Sequence, residues 1–196
     1  KIIGFYGVDN PPAESLDYVS DMLHIMGSFI VSSIRRRNLL RQLERMSYRD
    51  QLTQFGNRYA VDWFVEHEWN GEQIGVVYCD ITGLKKVNDE QGHEAGDRLI
   101  IRACECLAGV FKGYGLYRIG GDEFLVLCLG IEEKDLREHV EKLHMDMKEH
   151  QVTMAVGMIW KEHGPKDIDL LLNESERLMY EDKDRYYKEH GLKRRR

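Results

Sequence analysis

The pentapeptide Gly120-Gly121-Asp122-Glu123-Phe124 constrains this chain more than any other stretch. It separates two apolar runs, residues 116–119 and 124–129. Short β-rich runs joined by Gly-Gly predict a tight hairpin, because glycine reaches φ > 0 at little cost. The turn then sets two carboxylates side by side. Adjacent acids at a strand edge repel one another unless a cation sits in front of them. Without such a cation the hairpin is only a solvated acidic turn.

A third acid shifts that balance. Residues 73–81 read Gln-Ile-Gly-Val-Val-Tyr-Cys-Asp-Ile, a near-continuous apolar run carrying Asp80 at its exit. This pattern predicts a central strand buried on both faces. An Asp there is costly to bury unless it is paired or holds a metal. If this strand lies beside the hairpin, Asp80 meets Asp122 and Glu123. Three converging carboxylates make a hard-cation site of the kind Mg²⁺ prefers, shared with substrate phosphates. The implied chemistry is phosphoryl or nucleotidyl transfer.

These residues resemble the motifs of the GGDEF diguanylate cyclase family. Gly-Gly-Asp-Glu-Phe is its name-giving motif. Residues 80–97, Asp-Ile-Thr-Gly-Leu-Lys-Lys-Val-Asn-Asp-Glu-Gln-Gly-His-Glu-Ala-Gly-Asp, are similar to its second block. Residues 50–58, Asp-Gln-Leu-Thr-Gln-Phe-Gly-Asn-Arg, are similar to its opening block. Met179-Tyr180-Glu181-Asp182-Lys183 is similar to its closing block. The resemblance spans roughly residues 48–187.

The resemblance implies an enzyme that condenses two GTP into cyclic di-GMP and releases two pyrophosphates. Two domains would face each other across a homodimer, each holding one GTP. It implies that Asp80, the Ile81 carbonyl, Asp122 and Glu123 hold Mg²⁺, with Mn²⁺ as a substitute. Asp122 is the group assigned to help deprotonate the 3′-hydroxyl. Gly83 and Leu84 begin a short helix whose backbone N–H groups can cradle phosphates, and Lys85 can reach the same phosphates. Lys183 corresponds to the family's phosphate-contacting lysine. Asn88 and Asp97 correspond to its guanine contacts. A carboxylate accepts from guanine N1–H and the exocyclic amine, which adenine does not offer. His93 either touches the nucleotide or orders its loop. Gly121 lets the backbone approach the nucleotide closely.

Departures from the family pattern are specific. Thr82 and Leu84 stand where an Asp and a Phe are common. Tyr187 stands where an Arg often follows the closing lysine, with Arg185 nearby. The product-inhibition motif Arg-x-x-Asp falls on Phe111 and Tyr114, so that site is expected to be absent.

The predicted fold class is α+β, a ferredoxin-like βαββαβ palm (nucleotide-cyclase-like) with a long N-terminal signalling helix. Three parts are expected. Residues 1–12 resemble the terminal strand of a truncated GAF-like sensory domain. Residues 13–47 form a linker helix that pairs with a second copy as a coiled coil. Residues 48–196 form the cyclase domain. Within it, Tyr59, Trp63 and Phe64 are expected in the core, Gly71 is expected to end their helix, and a further helix is expected over residues 99–111.

Composition narrows the partners. The formal net charge of −6 disfavours a nucleic-acid polymer as ligand. No apolar run is long enough to cross a membrane, so no membrane contact is expected for this segment. Cys79, Cys104, Cys106 and Cys128 sit in apolar runs without metal-ligand spacing, as expected of core thiols in a reducing cytoplasm. The chain begins at Lys1 without a signal peptide, as expected of a fragment of a longer protein.

Three alternatives remain open. One is a catalytically weak GGDEF receptor that binds GTP or cyclic di-GMP. The second is another palm enzyme, either a polymerase or an adenylate-type cyclase. The third is a dimerisation module whose hairpin is only structural.

Overall fold

The structure is a computed structural model and describes residues 12, 14, 16–46 and 48–191. The GAF-like strand expected over residues 1–12 lies, Pro12 aside, outside the described residues, as does the basic tail from Lys193. Two compact units are present, residues 1–46 and 47–196. Among its described residues the first contains the 31-residue helix α1 (Leu16–Met46). Leu16, Val19, Leu23, Met26 and Ile30, at three- and four-residue spacing, form the stripe expected to pair; Met26 and Ile30 are exposed, and Tyr18, Ile25 and Phe29 off that stripe are exposed too. The apolar surface of α1 is therefore broader than the stripe alone.

The second unit holds α2 (Arg58–His67), β1 (Ile74–Ile81), α3 (Leu84–Gln91), α4 (His93–Val110) and β2 (Gly115–Arg118), followed by β3 (Glu123–Leu129), α5 (Glu133–Glu149), β4 (Met154–Lys161) and α6 (Asp169–Glu189). The four strands form one antiparallel sheet in the order β2-β3-β1-β4. This is the βαββαβ ferredoxin-like arrangement, with α2 and α6 added. Every residue of β1 is buried, as the unbroken apolar run predicts for a strand covered on both sides. One face carries Val77 and Cys79 against Leu99, Ala103 and Leu107 of α4 and Leu136 and Leu143 of α5. The other carries Val76 and Tyr78 against Val61 and Phe64 of α2 and Leu171 and Met179 of α6.

The alternation of β1 decides which end bears chemistry. Its exit is the only place where the strand carries a charge, and β3 begins directly opposite. At the outer edge, β4 presents the Val156 N–H, which donates to Asp182 Oδ2 on α6 at 3.0 Å. A side chain thus occupies a donor that an edge strand would otherwise offer to another chain. Gly157 lets α6 lie directly on β4, since a β-carbon there would collide with the Ser175 carbonyl and the Met179 N–H.

Several local expectations are corrected. Trp63 is 40% exposed, and Val61 takes its place beside Phe64 in the core. The helical period puts residues 61 and 64 on one face and turns 63 outward. Tyr59 is half-buried and belongs to neither core cluster. Helix α2 ends with Glu68 as its cap, before Gly71. Helix α4 starts at His93 rather than residue 99, because Gly92 (φ 84°) breaks the chain between α3 and α4. Neither Gly120 nor Gly121 has positive φ. The four-residue connection between β2 and β3 closes instead through Ile119 N–H donating to the Glu123 carbonyl at 3.0 Å.

Candidate functional site

The strand register brings two of the three acids face to face. Asp80 on β1 is the direct cross-strand partner of Glu123 on β3. Asp122 precedes β3, and its carbonyl accepts from the Ile81 N–H at 2.9 Å. Asp80 is 4% exposed, and like charges directly opposite are destabilising without a counter-ion. Here the counter-ion is Lys183 on α6. Its Nζ donates to both Asp80 carboxylate oxygens at 2.7 Å.

Electrostatics follow from that crowding. Partial burial raises the Glu123 carboxyl above the ordinary carboxylate value, and the charges of Asp80, Asp122 and Glu176 raise it further; Lys183 opposes them. Burial, and then the charge of Glu123, also raises the Tyr180 phenol. Glu176, Tyr180 and Lys183 stand four and three residues apart, so one face of α6 serves this site. The sequence reading included Lys183, quoted Tyr180 only as part of the closing block, and passed over Glu176. Their spacing was visible, but which face of α6 meets β1 was not.

The glycines of the motif differ in what surrounds them. A β-carbon on Gly120 would come within 2.5 Å of Glu123 Oε2, whereas one on Gly121 would meet nothing within 4 Å. Gly120 therefore makes room for the carboxylate. Gly121 borders open space where a ligand could lie. Phe124 is fully buried and meets Phe55 edge-on, with ring centroids 6.3 Å apart, which anchors the start of β3 in the core.

Behind the turn lies a half-buried cation that the sequence reading missed. Arg118, at the end of β2, donates through Nη2 to the Gly121 carbonyl at 2.7 Å. Its Nη1 donates to Asp50 Oδ1 at 3.1 Å. Asp50 also accepts from the Thr53 backbone N–H and hydroxyl. These hydrogen bonds and the Arg118 charge outweigh partial burial and hold the Asp50 carboxyl below its ordinary value. Gly56 ties the same loop to β2, donating to the Leu116 carbonyl and accepting from the Arg118 N–H. The opening block therefore braces the motif turn. An Arg inside an apolar run was the available signal.

The remaining predicted residues sit at the β1 exit and along α3 and α4. Gly83 takes the left-handed conformation (φ 86°) and starts α3 without a side-chain cap. Leu84 is buried at the first helical position and Lys85 is exposed. The leading N–H groups of α3 are thus available to an anion. Asn88 is half-buried and lies over Gly96, where a β-carbon would collide with Asn88 Oδ1. That packing brings Asn88 beside the turn of α4 carrying Asp97. Asp97 and His93 are both exposed, so the pair is open to solvent rather than buried. Arg185 pairs with Asp182 at 3.3 Å.

A hard divalent cation fits this donor set. The oxygens of Asp80, Asp122 and Glu123 are of the type Mg²⁺ takes, and the buried Thr82 Oγ1 beside Ile81 has no hydrogen-bond partner. The three carboxylates are not drawn to within 4.8 Å of one another; among the described residues, Cys106, Asp146 and His150 are the trio that meets that distance. Lys183 occupies the position in front of Asp80 instead.

Comparison with known proteins bears on this arrangement. The family model "Diguanylate cyclase, GGDEF domain" matches residues 47–188. Diguanylate cyclase DgcP of Escherichia coli is 28% identical over 184 residues, covering 83% of this chain and 54% of that protein. The bifunctional diguanylate cyclase/cyclic di-GMP phosphodiesterase MucR of Pseudomonas aeruginosa is 29% identical over 172 residues, covering 80% of this chain and 25% of that protein. The chain thus spans about a quarter to a half of these relatives. Among solved structures, diguanylate cyclase SiaD of Pseudomonas aeruginosa, in complex with its activator SiaC, has a TM-score of 0.63 at 21% identity, covering 88% of this chain and 73% of that one.

Proposed function

Since the chain belongs to the GGDEF diguanylate cyclase family, we propose that it condenses two GTP into cyclic di-GMP and releases two pyrophosphates. The observation that carries this reading is the cross-strand pairing of Asp80 with Glu123 beside the motif turn. It is a charge arrangement with little structural value and a clear use. Asp80, the Ile81 carbonyl, Asp122 and Glu123 would hold Mg²⁺, or Mn²⁺ in its place. When bound, the ion would offset charge developing on the triphosphate.

The chain's own residues then have distinct tasks. Gly83 and Leu84 offer backbone N–H groups to phosphate oxygens, and Lys85 adds a cation. Lys183 stabilises Asp80 before substrate arrives and turns to a phosphate afterwards. Asn88 and Asp97 read the guanine edge, with His93 at the rim of the same pocket. Gly121 leaves space for the nucleotide. Asp122 accepts the proton of the 3′-hydroxyl as that oxygen bonds to the α-phosphorus of the partner's GTP and the bond to the pyrophosphate oxygen breaks. Catalysis is largely a matter of positioning and charge compensation.

Two domains must meet for this step, and α1, with its exposed apolar side chains, is the element proposed to pair them. Among the described residues no helix is long and apolar enough to cross a membrane.

The test is incubation with GTP and Mg²⁺ followed by mass analysis, with ATP in parallel. Cyclic di-GMP and pyrophosphate from GTP alone, at a rate rising more steeply than linearly with enzyme concentration, are expected. Bound but unconverted GTP would replace this reading with that of a receptor, and conversion of ATP would point to another palm enzyme.

A further inference from the structure

One trio of dissimilar side chains comes together away from the acid-bearing strand ends. Cys106 on α4 and Asp146 and His150 at the end of α5 each contribute a ligand atom, and the three atoms lie within 4.8 Å of one another. We propose that these residues hold a divalent transition ion of the zinc type, with water completing the coordination, as a clip between α4 and α5.

The geometry is directed. Cys106 is fully buried. Asp146 and His150 are four residues apart and so share one helix face. A β-carbon added to Gly109 would lie 3.6 Å from Asp146 Oδ2, so that carboxylate points at α4. Gly109 is three residues beyond Cys106, on the same face of α4. His150 Nδ1 lies 2.9 Å from the Asp146 carbonyl oxygen. A carbonyl only accepts, so Nδ1 carries the proton and the Nε2 lone pair is the ring's ligand atom. A backbone carbonyl holding the other ring nitrogen is the arrangement that orients metal-binding histidines.

Distances and chemistry agree with zinc. Tetrahedral ligands about 2.0–2.3 Å from the ion stand about 3.3–3.8 Å apart, so closing the trio takes a movement of about 1 Å. A sulfur, nitrogen and oxygen set suits zinc and not the all-oxygen preference of Mg²⁺. Burial, and then the Asp146 charge, pushes the Cys106 thiol up to about 11. The metal-free side chain is therefore a neutral thiol. On binding, the S–H bond breaks, the sulfur–metal bond forms and one proton leaves to solvent. Cys106 lies nine residues beyond Asp97, roughly 13 Å along the helix. An ion here would tighten helix pairing rather than take part in chemistry at the strand ends. The sequence concealed this site because Cys106 has no neighbouring ligand at metal spacing.

The test uses the whole chain in excess Mg²⁺, which covers the acids at the β1 exit. Titration with Co²⁺ should give one equivalent of binding, a thiolate-to-cobalt charge-transfer band and one proton released per ion; Zn²⁺ should then displace the Co²⁺ and abolish the band without proton uptake. Cys106→Ser should remove the band. Because that residue is buried and its variant could fail to fold, His150→Gln at the solvent edge provides the second measurement. It should weaken binding about tenfold or more with an unchanged circular dichroism spectrum. No charge-transfer band in the wild-type chain, or a band and affinity unaltered in His150→Gln, would overturn the proposal.

Discussion

Lys183 and Asp80 are 103 residues apart in sequence, yet one ammonium spans both oxygens of one buried carboxylate at 2.7 Å. The pair joins α6 to the end of β1 at the point where Asp80, Asp122, Glu123 and Glu176 crowd together. Taking the cation away from a buried carboxylate is far more costly than the pair is favourable. The same side chain therefore stabilises Asp80 in the structure, and in the proposed function it is the one that would turn to a phosphate.

Lys183→Met separates these roles. Without metal, the variant should lose about 3 kcal/mol of stability, because the buried Asp80 carboxylate loses the ammonium that spans both its oxygens. Denaturant unfolding in chelator measures this. Adding Mg²⁺ should restore part of the loss, while GTP turnover stays low.

Glu123→Gln should move stability and activity in opposite directions. Burial and three acidic neighbours raise the Glu123 carboxyl in the folded chain. Its contribution is thus fully present below the ordinary glutamate range and is lost as pH rises through the raised folded value. A neutral amide removes that loss. The metal-free variant should melt about 2 °C higher at pH 7, with a flatter dependence on pH from 4 upward, and should make no cyclic di-GMP. Thermal melts across pH in chelator check the first part.

Arg118→Met tests the brace behind the motif turn. Asp50, held below its ordinary pKa in the native chain, would lose its cationic partner. Its stabilising effect is present above the unfolded carboxylate value and lost as pH falls through the depressed folded one. The variant should be destabilised by about 1–2 kcal/mol at pH 7, and the deficit should shrink below about pH 4. Unfolding midpoints at the two pH values decide this.

Gly121→Ala and Gly120→Ala should differ. Gly121 borders open space, so its alanine variant should keep stability within about 0.5 kcal/mol while losing GTP binding. Gly120→Ala pushes on Glu123 Oε2 and should weaken metal affinity first. Calorimetric titrations with Mg²⁺ and with GTP distinguish them.

If the chain makes cyclic di-GMP as proposed, product should not slow that reaction through the family's Arg-x-x-Asp position. Phe111 is fully buried there, and its ring and that of Tyr114 pack on His139 with centroids 5.6 and 6.0 Å away. Initial rates with added cyclic di-GMP should match those without it, apart from competition with GTP at the active site.

The sequence by itself determined the element order, the burial of β1 on both faces and the acidic character of the strand ends. These rest on short-range patterns: an unbroken apolar run, helical spacing and a run of five motif residues. Tertiary structure alone decided which distant groups meet. Lys183 on Asp80, Arg118 on Asp50, Glu176 beside Glu123, and Cys106 with His150 all join side chains from distant parts of the chain. The backbone of the motif turn also departed from expectation, since register and the Ile119–Glu123 hydrogen bond set its conformation without positive φ at either glycine. Periodicity records which way a side chain points along its own element. It carries no information on what the opposing element brings to the same place, and that is set by how the helices pack across the sheet.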